Sequence, residues 1–235
     1  MQASMYQSGE YLENNPDWHA SDAPFKARWI ADLLARNAVA PEHIVEIGCG
    51  SGEILVELAR LYPGARFDGY DISPQAMAIS GPKARDGLAF HHADYLAEPR
   101  SEMQGHLDVL MAIDVFEHVD DYMGFIRKMQ AAAEWKVFHI PLDLSVQGML
   151  RLKGLVHARE AIGHLHYFCK DTALMTLRDC GCEVVDWMYT HGTETMPNQA
   201  LRTRLANVPR KLMRVLGTDF SVRVMGGSSM MVLAR

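Results

Sequence analysis

The stretch His43-Ile44-Val45-Glu46-Ile47-Gly48-Cys49-Gly50-Ser51-Gly52 decides how this chain is read. Its apolar residues Ile44, Val45 and Ile47 suit a parallel β-strand covered on both faces. The glycines that follow let the backbone turn sharply and approach a ligand with no Cβ in the way. A helix opening at Glu53 then offers its unpaired N–H groups and positive dipole end to something polar or anionic. The stretch is a ligand loop.

Outward from it, strands and helices alternate. Upstream, Asp22-Ala23-Pro24 opens a helix with Asp22 as N-cap, and Phe25, Trp29, Ile30, Leu33 and Leu34 form its apolar face. Downstream, a helix stops at Pro63-Gly64, and strands are expected over 66–71, 88–92, 107–113 and 135–140. Helices start at Ser73-Pro74 and near Tyr122. Beyond Pro141 the pattern predicts a helix over 144–156 broken at Gly148 and Gly154, then a loop over 163–168. A helix capped by Asp171 and a strand over 182–189 follow. A helix near 199–216, kinked or split at Pro209, precedes a last strand over 228–234. The fold class is α/β, a Rossmann-like three-layer sandwich. Ligands in such sheets bind beyond the carboxyl ends of the strands, where Glu46, Asp71, Asp94 and Asp114 all fall.

At 235 residues the chain suits one domain. Residues 1–40 are expected to give an N-terminal lid and helix, 41–141 a ligand-binding core, and 142–235 the remaining elements, with a basic helical insertion at about 195–218. The formal charge of −6 argues against generic nucleic-acid binding. The N-terminus has no signal-peptide pattern, and no apolar run approaches the ~20 residues that span a bilayer. Cys49, Cys169, Cys180 and Cys182 lack CxxC spacing and read as reduced thiols of a cytoplasmic enzyme.

The loop reads G-x-G-x-G, not the G-x-G-x-x-G of a dinucleotide fold, and no phosphate-cradling G-x-x-x-x-G-K motif is present. Glu46 would repel a pyrophosphate but suits an ammonium group. Asp71 is placed like an acid that accepts from ribose hydroxyls, and Asp94-Tyr95 can meet an adenine edge. With Val45-Glu46-Ile47-Gly48-Cys49-Gly50-Ser51-Gly52, Gly69-Tyr70-Asp71-Ile72-Ser73, Ala93-Asp94-Tyr95 and Asp114-Val115-Phe116-Glu117-His118-Val119, the chain resembles the class I S-adenosylmethionine-dependent methyltransferases. The resemblance implies a seven-stranded sheet in order 3-2-1-4-5-7-6 with the last strand antiparallel. It implies S-adenosylmethionine as cofactor and S-adenosylhomocysteine as product. Carried over, Gly48 and Gly50 contact the methionine part, with Glu46 and Gly52 in the same loop. Asp71 takes the ribose, Ile72 the adenine face, Asp94 the adenine amino group with Tyr95 beside it, and Asp114 lines the methionine end.

The segment after the fourth strand, Asp114-Val115-Phe116-Glu117, lacks the N/D-P-P-Y/F signature of base and amide N-methyltransferases. It resembles the quinone-biosynthetic and small-molecule O-methyltransferase branch, which implies a hydroxyl acceptor. An N or C acceptor, or a non-catalytic cofactor-binding role through a partner, stays open. In some quinone enzymes the corresponding residues are associated with a divalent metal, so Asp114, Glu117 and His118 form the metal set if there is one. The favoured reading is that they shape the cleft. A base is sought among His118, His139 and His166, with His164 nearby. Tyr11, Trp18 and His19 are candidates for a lid. Arg202, Arg204, Arg210, Lys211 and Arg214 sit among Leu and Val with no acid between 195 and 218. This reads as an amphipathic cover with a solvated basic face, or as a contact for an anionic acceptor or a peripheral anionic membrane surface.

Overall fold

In the computed structural model, which describes residues 8–15, 18, 20–97, 107–191 and 201–235 (backbone alone for 10 and 201–207), the loop stretch begins as a strand buried at every position. That strand, β1 (His43–Ile47), pairs in parallel with β2 (Arg66–Asp71) on one side and β4 (Val109–Ile113) on the other. Beyond β2 lies β3 (Leu88–His92), and beyond β4 lies β5 (Trp135–Pro141), both parallel. The last strand, β7 (Ser229–Ala234), inserts antiparallel between β5 and β6 (Val184–Thr190). The order is β3-β2-β1-β4-β5-β7-β6, as the resemblance implies.

Alternate residues of the central strands feed two cores, because successive side chains leave a strand on opposite faces. Ile44, Val109, Met111, Val137 and Leu233 pack with Ile30, Leu33 and Leu34 of an N-terminal helix and Leu55 and Leu58 of the helix after the loop. These helices follow α1 (Glu10–Asn14) and are α2 (Ala23–Arg36) and α3 (Glu53–Leu61). Val45, Leu110, Phe138 and Val232 pack on the other face. There they meet Ile126 and Met129 of α5 (Tyr122–Gln130) and Leu174 and Leu177 of α8 (Lys170–Asp179). The helix between β2 and β3, α4 (Pro74–Ser80), starts where Ser73 Oγ accepts from the Ala76 N–H. On β2, the buried Asp68 carboxylate accepts from His43 Nε2 (2.8 Å), His91 Nε2 (2.7 Å) and Arg66 Nε (2.8 Å), tying three strands together.

Several local expectations are corrected. The helical stretch after β5 divides into α6 (Val146–Arg151) and α7 (Lys153–His157) at Leu152, whose φ of 53° ends the first helix, while Gly148 and Gly154 stay helical. The cap of α8 is Cys169, not Asp171: Thr172 Oγ1 accepts from the Cys169 N–H at 3.0 Å. Asp22 stands at the N-cap position of α2 without a side-chain cap bond. Within the described residues α9 (Leu201–Arg214) is one helix with Pro209 inside it. A further helix, α10 (Thr218–Met225), was not expected. Among the described residues no helix is long and apolar enough to cross a membrane.

Candidate active site

The loop after β1 is held from below by its neighbour strand. The N–H groups of Gly48 and Cys49 both donate to the Tyr70 carbonyl, at 2.8 and 3.1 Å. The Gly50 N–H donates to Asp71 Oδ2 at 2.9 Å, and Asp71 Oδ1 accepts from the Ser73 N–H at 2.8 Å. Lys83 clamps the far side, donating to the Ser51 carbonyl (2.6 Å) and pairing with Glu53 (2.7 Å). Gly48 has φ +69°, and a Cβ there would lie 2.7 Å from Val115 Cγ2. Gly52 also has a left-handed φ, and a Cβ there would run into the Phe90 ring of β3. Gly48 leaves room for the Val115 side chain; Gly52 lets α3 pack on the sheet.

Two lobes of one cleft lie over this loop at the carboxyl ends of the strands. One, of about 420 Å³, is lined by Tyr70, Asp71, Ile72, Asp94 and Val115. The other, of about 270 Å³, is lined by Lys26, Trp29, Glu46, Gly50, Glu117, His139, His164 and Thr190. Tyr11, Trp18, Gly48, Asp114 and His118 line both. The Trp18 indole lies over Gly50, and its ring meets Tyr11 edge-on at 5.0 Å. His19 lies outside the described residues.

Three sequence candidates fall elsewhere. Gly52 packs against β3, as above. Tyr95 is buried edge-on against Tyr70 at 4.9 Å, off the cleft lining, because the apolar ring joins the core. His166 donates from Nε2 to the Val119 carbonyl at 2.9 Å and leans on Tyr122, so it too leaves the cleft. Among the lining residues missed from sequence are Lys26, Trp29 and Thr190. Lys26 and Trp29 sit in a helix whose pattern reads only as amphipathic, and Thr190 ends a strand with no motif around it. Only the tertiary fold brings them together.

Charge in the smaller lobe is unevenly matched. Glu46 is fully enclosed, its Oε2 has no hydrogen-bond partner among the described residues, and burial pushes its carboxyl up to about 8. Asp114 directly follows β4, with φ +56°. Its Oδ1 accepts from His139 Nδ1 at 2.6 Å and its Oδ2 pairs with Lys26 Nζ at 2.8 Å. Burial works against the Asp114 charge, but the His139 and Lys26 neighbours outweigh it and hold the carboxyl well below its usual range. Burial likewise opposes the Lys26 charge, and Asp114 outweighs it. The other imidazole nitrogen, His139 Nε2, lies 2.8 Å from Thr190 Oγ1, and the ring is stacked with Trp29. A carboxylate can only accept, so Nδ1 carries a proton; in the neutral imidazole Nε2 then accepts from the threonine hydroxyl.

The metal set expected from sequence is rearranged. Asp114 is drawn away by Lys26 and His139, and His164 takes its place: ligand atoms of Glu117, His118 and His164 lie within 4.8 Å of one another. Neither buried Glu117 oxygen has a hydrogen-bond partner among the described residues. His118 donates from Nδ1 to the Gly163 carbonyl (3.0 Å) and His164 from Nδ1 to Asp143 (2.7 Å). In the neutral form each imidazole then has its lone pair on Nε2, as metal-bound histidines with outer partners do. Burial, with Asp114 nearby, pushes the Glu117 carboxyl well up. A cation beside it would favour its ionised form.

Comparison with known proteins agrees with the fold. Trans-aconitate 2-methyltransferase of Mycobacterium sp. (strain KMS) is 26% identical over 191 residues, covering 75% of this chain and 72% of that protein. The ubiquinone biosynthesis O-methyltransferase of Methylocella silvestris is 29% identical over 135 residues, 47% of this chain and 52% of that one. The crystal structure of magnesium protoporphyrin IX methyltransferase from Synechocystis PCC 6803 with bound S-adenosylhomocysteine superposes with a TM-score of 0.59. It is 16% identical and covers 93% of this chain and 85% of that chain, a likeness of fold. A family model described as a methyltransferase domain matches residues 18–186, most of the chain. The chain belongs to that family: it is a class I S-adenosylmethionine-dependent methyltransferase.

Proposed function

We propose that the protein methylates a hydroxyl oxygen of a small-molecule acceptor. The observation that carries this reading is the chain Asp114–His139–Thr190, whose hydrogen bonds of 2.6 and 2.8 Å run along the wall of the smaller lobe. A hydroxyl acceptor needs its proton removed as it attacks, whereas a neutral amine can attack first and lose its proton afterwards. The names of the relatives, an O-methyltransferase and a trans-aconitate methyltransferase, favour small acceptors.

The site fits the cofactor. The unpartnered, buried oxygen of Glu46 suits an ammonium group, and Gly48 and Gly50 line the same lobe. Asp71 uses one lone pair of each oxygen on the loop and on Ser73, which leaves others for ribose hydroxyls. Ile72 and Asp94 line the larger lobe, suited to the adenine face and its amino group. When bound, S-adenosylmethionine supplies a methyl group on a positively charged sulfur. The residues then act on the acceptor. Thr190 Oγ1 accepts the acceptor's proton while its own passes to His139 Nε2, and Asp114 stabilises the imidazolium so formed. Lys26 holds Asp114 in place, so the carboxylate stays aimed at Nδ1.

A second way of activating the hydroxyl rests on Glu117, His118 and His164. These three would hold a divalent cation, which there would lower the acceptor hydroxyl's pKa. Chelation separates the two: unchanged turnover after EDTA treatment leaves the His139 relay alone, whereas loss restored by one added metal favours the cation.

The test of the main reading is an acceptor panel of phenols, alcohols, carboxylic acids and amines, with products identified by mass and by the position of the new CH₃. Methyl found on nitrogen or carbon rather than oxygen sinks the proposal. His139→Ala and Thr190→Val should each lower kcat by about 10²–10⁴-fold.

A further inference from the structure

The cleft leaves unexplained the helices after β5 and the long connection between β6 and β7. Fourteen large apolar side chains are exposed among the described residues, and ten of them lie within 146–156 and 208–220. They are ordered, not scattered. On and just past α9, Val208, Leu212, Val215 and Leu216 recur at helical spacing on one face, exposed by 56, 67, 86 and 74%. A helix on a globular domain normally turns such a stripe inward. Here it faces out. α6 repeats the arrangement, with Val146, Met149 and Leu150 exposed by 53, 53 and 82%.

Charge singles out nearly the same segments, with Asp219 lying just past the second. Residues 146–157 and 201–216 carry seven of the 23 basic residues and none of the 29 acidic ones, in a chain of net charge −6. The two segments meet around a cavity of about 850 Å³, with Arg151 and Lys153 contributed by one and Arg210 by the other. Pro141 and Ser229 line both this cavity and the cleft.

We infer that the cap formed by α6, α7 and α9 docks on an anionic lipid bilayer. Outward apolar stripes beside basic residues with no acid among them are what a helix needs to lie at the headgroup boundary. A second copy of the chain is a poorer occupant. An isologous contact through this face would set its positive charges against themselves. The inference does not depend on which atom accepts the methyl group.

The test is co-sedimentation of the full chain with vesicles of phosphatidylcholine alone and of phosphatidylcholine with phosphatidylglycerol. The protein should sediment with the anionic vesicles and remain in solution with the neutral ones. Binding should weaken by tenfold or more in ~1 M salt, where screening acts over about 3 Å. Leu212→Asp combined with Val215→Asp should abolish it, and Lys211→Glu should weaken it. All three side chains are exposed, so the variants should keep the wild-type melting temperature. No sedimentation with anionic vesicles overturns the inference, as does equal sedimentation of the double variant. Light scattering supplies the remaining outcome. A dimer dissociated by the same substitutions, with no vesicle binding, would show that a second copy covers the stripe and would overturn it too.

Discussion

Glu46 is an acid placed where it cannot keep its charge unaided. Lys26 is near enough to pull its pKa down, but burial and the acids Asp71 and Asp114 outweigh that and bring it to about 8. A cofactor ammonium would supply the missing partner, so binding below pH 8 must release a proton from this carboxyl. Affinity for S-adenosylmethionine should therefore climb by up to about tenfold per pH unit from ~6 toward 8. Glu46→Gln should bind more weakly at pH 8 and lose the slope. Calorimetry in buffers of different ionisation enthalpy checks this directly: no proton release at neutral pH, or an unchanged slope in the variant, removes Glu46 from the ammonium site. Asp114 shows the opposite solution. Its backbone is strained at φ +56°, yet two cationic or hydrogen-bonding partners hold its charge. Strain of this kind persists where surrounding contacts over-determine the geometry, as the ties to Lys26 and His139 do.

At the scale of elements, the glycine loop divides its labour between ligand space and packing. Gly52 belongs to packing, since a side chain there would need a left-handed φ of +74° and would strike Phe90. Gly52→Ala should destabilise the protein by about 1–3 kcal/mol. Gly64→Ala is the control: it meets nothing within 4 Å and should be near neutral. Denaturant midpoints for the two variants test the distinction, and equal midpoints would refute it. The elements around this loop were legible because local signals and tertiary burial agree there. Short, largely buried strands with an acid at or beside their carboxyl end, before a turn, give β1, β2 and β4 from pattern alone. Agreement fails after Pro141. Gly148 and Gly154 carry the usual signal of a break, but the helix ends at Leu152, and α10 has no strong cap or stripe to announce it. The site was legible in the same measure. Its cofactor side follows strand ends in sequence order, whereas Lys26 from α2 and Thr190 from β6 meet Asp114 and His139 only through the sheet order. The pairing of Glu117 and His118 with His164 likewise needs the loop after α7 to fold back, where the Leu165 and His166 N–H groups donate to the Glu117 carbonyl.

For the whole molecule, the site's acids set stability against pH from both sides. Glu46, Asp71 and Glu117 have folded pKa values raised by burial, so the folded chain keeps protons that the unfolded chain releases. Stability from this set is lost as pH rises above the ordinary carboxylate range. The loss is up to about 1.4 kcal/mol per pH unit per group while the folded form stays protonated, and for Glu46 it ends near pH 8. Asp68 and Asp114 act the other way. Burial opposes the Asp68 charge, but His43, His91 and Arg66 outweigh it, and both acids are depressed below the ordinary aspartate value of 3.8. Their stabilisation is complete above that value and is lost as pH falls through the folded pKa. The cofactor-free protein should therefore melt highest on the acid side of neutrality. Its melting temperature should fall between about pH 5 and pH 8, and saturating S-adenosylmethionine should raise it more at pH 8 than at pH 6. Glu46→Gln should flatten the cofactor-free decline, because an amide in that position has no proton to lose. A melting temperature that rises toward pH 8 without cofactor, or a variant curve parallel to wild type, would show that Glu46 is ionised in the empty cleft. The unpartnered oxygen would then carry a full charge there, and the proton release argued for the binding step would vanish with it.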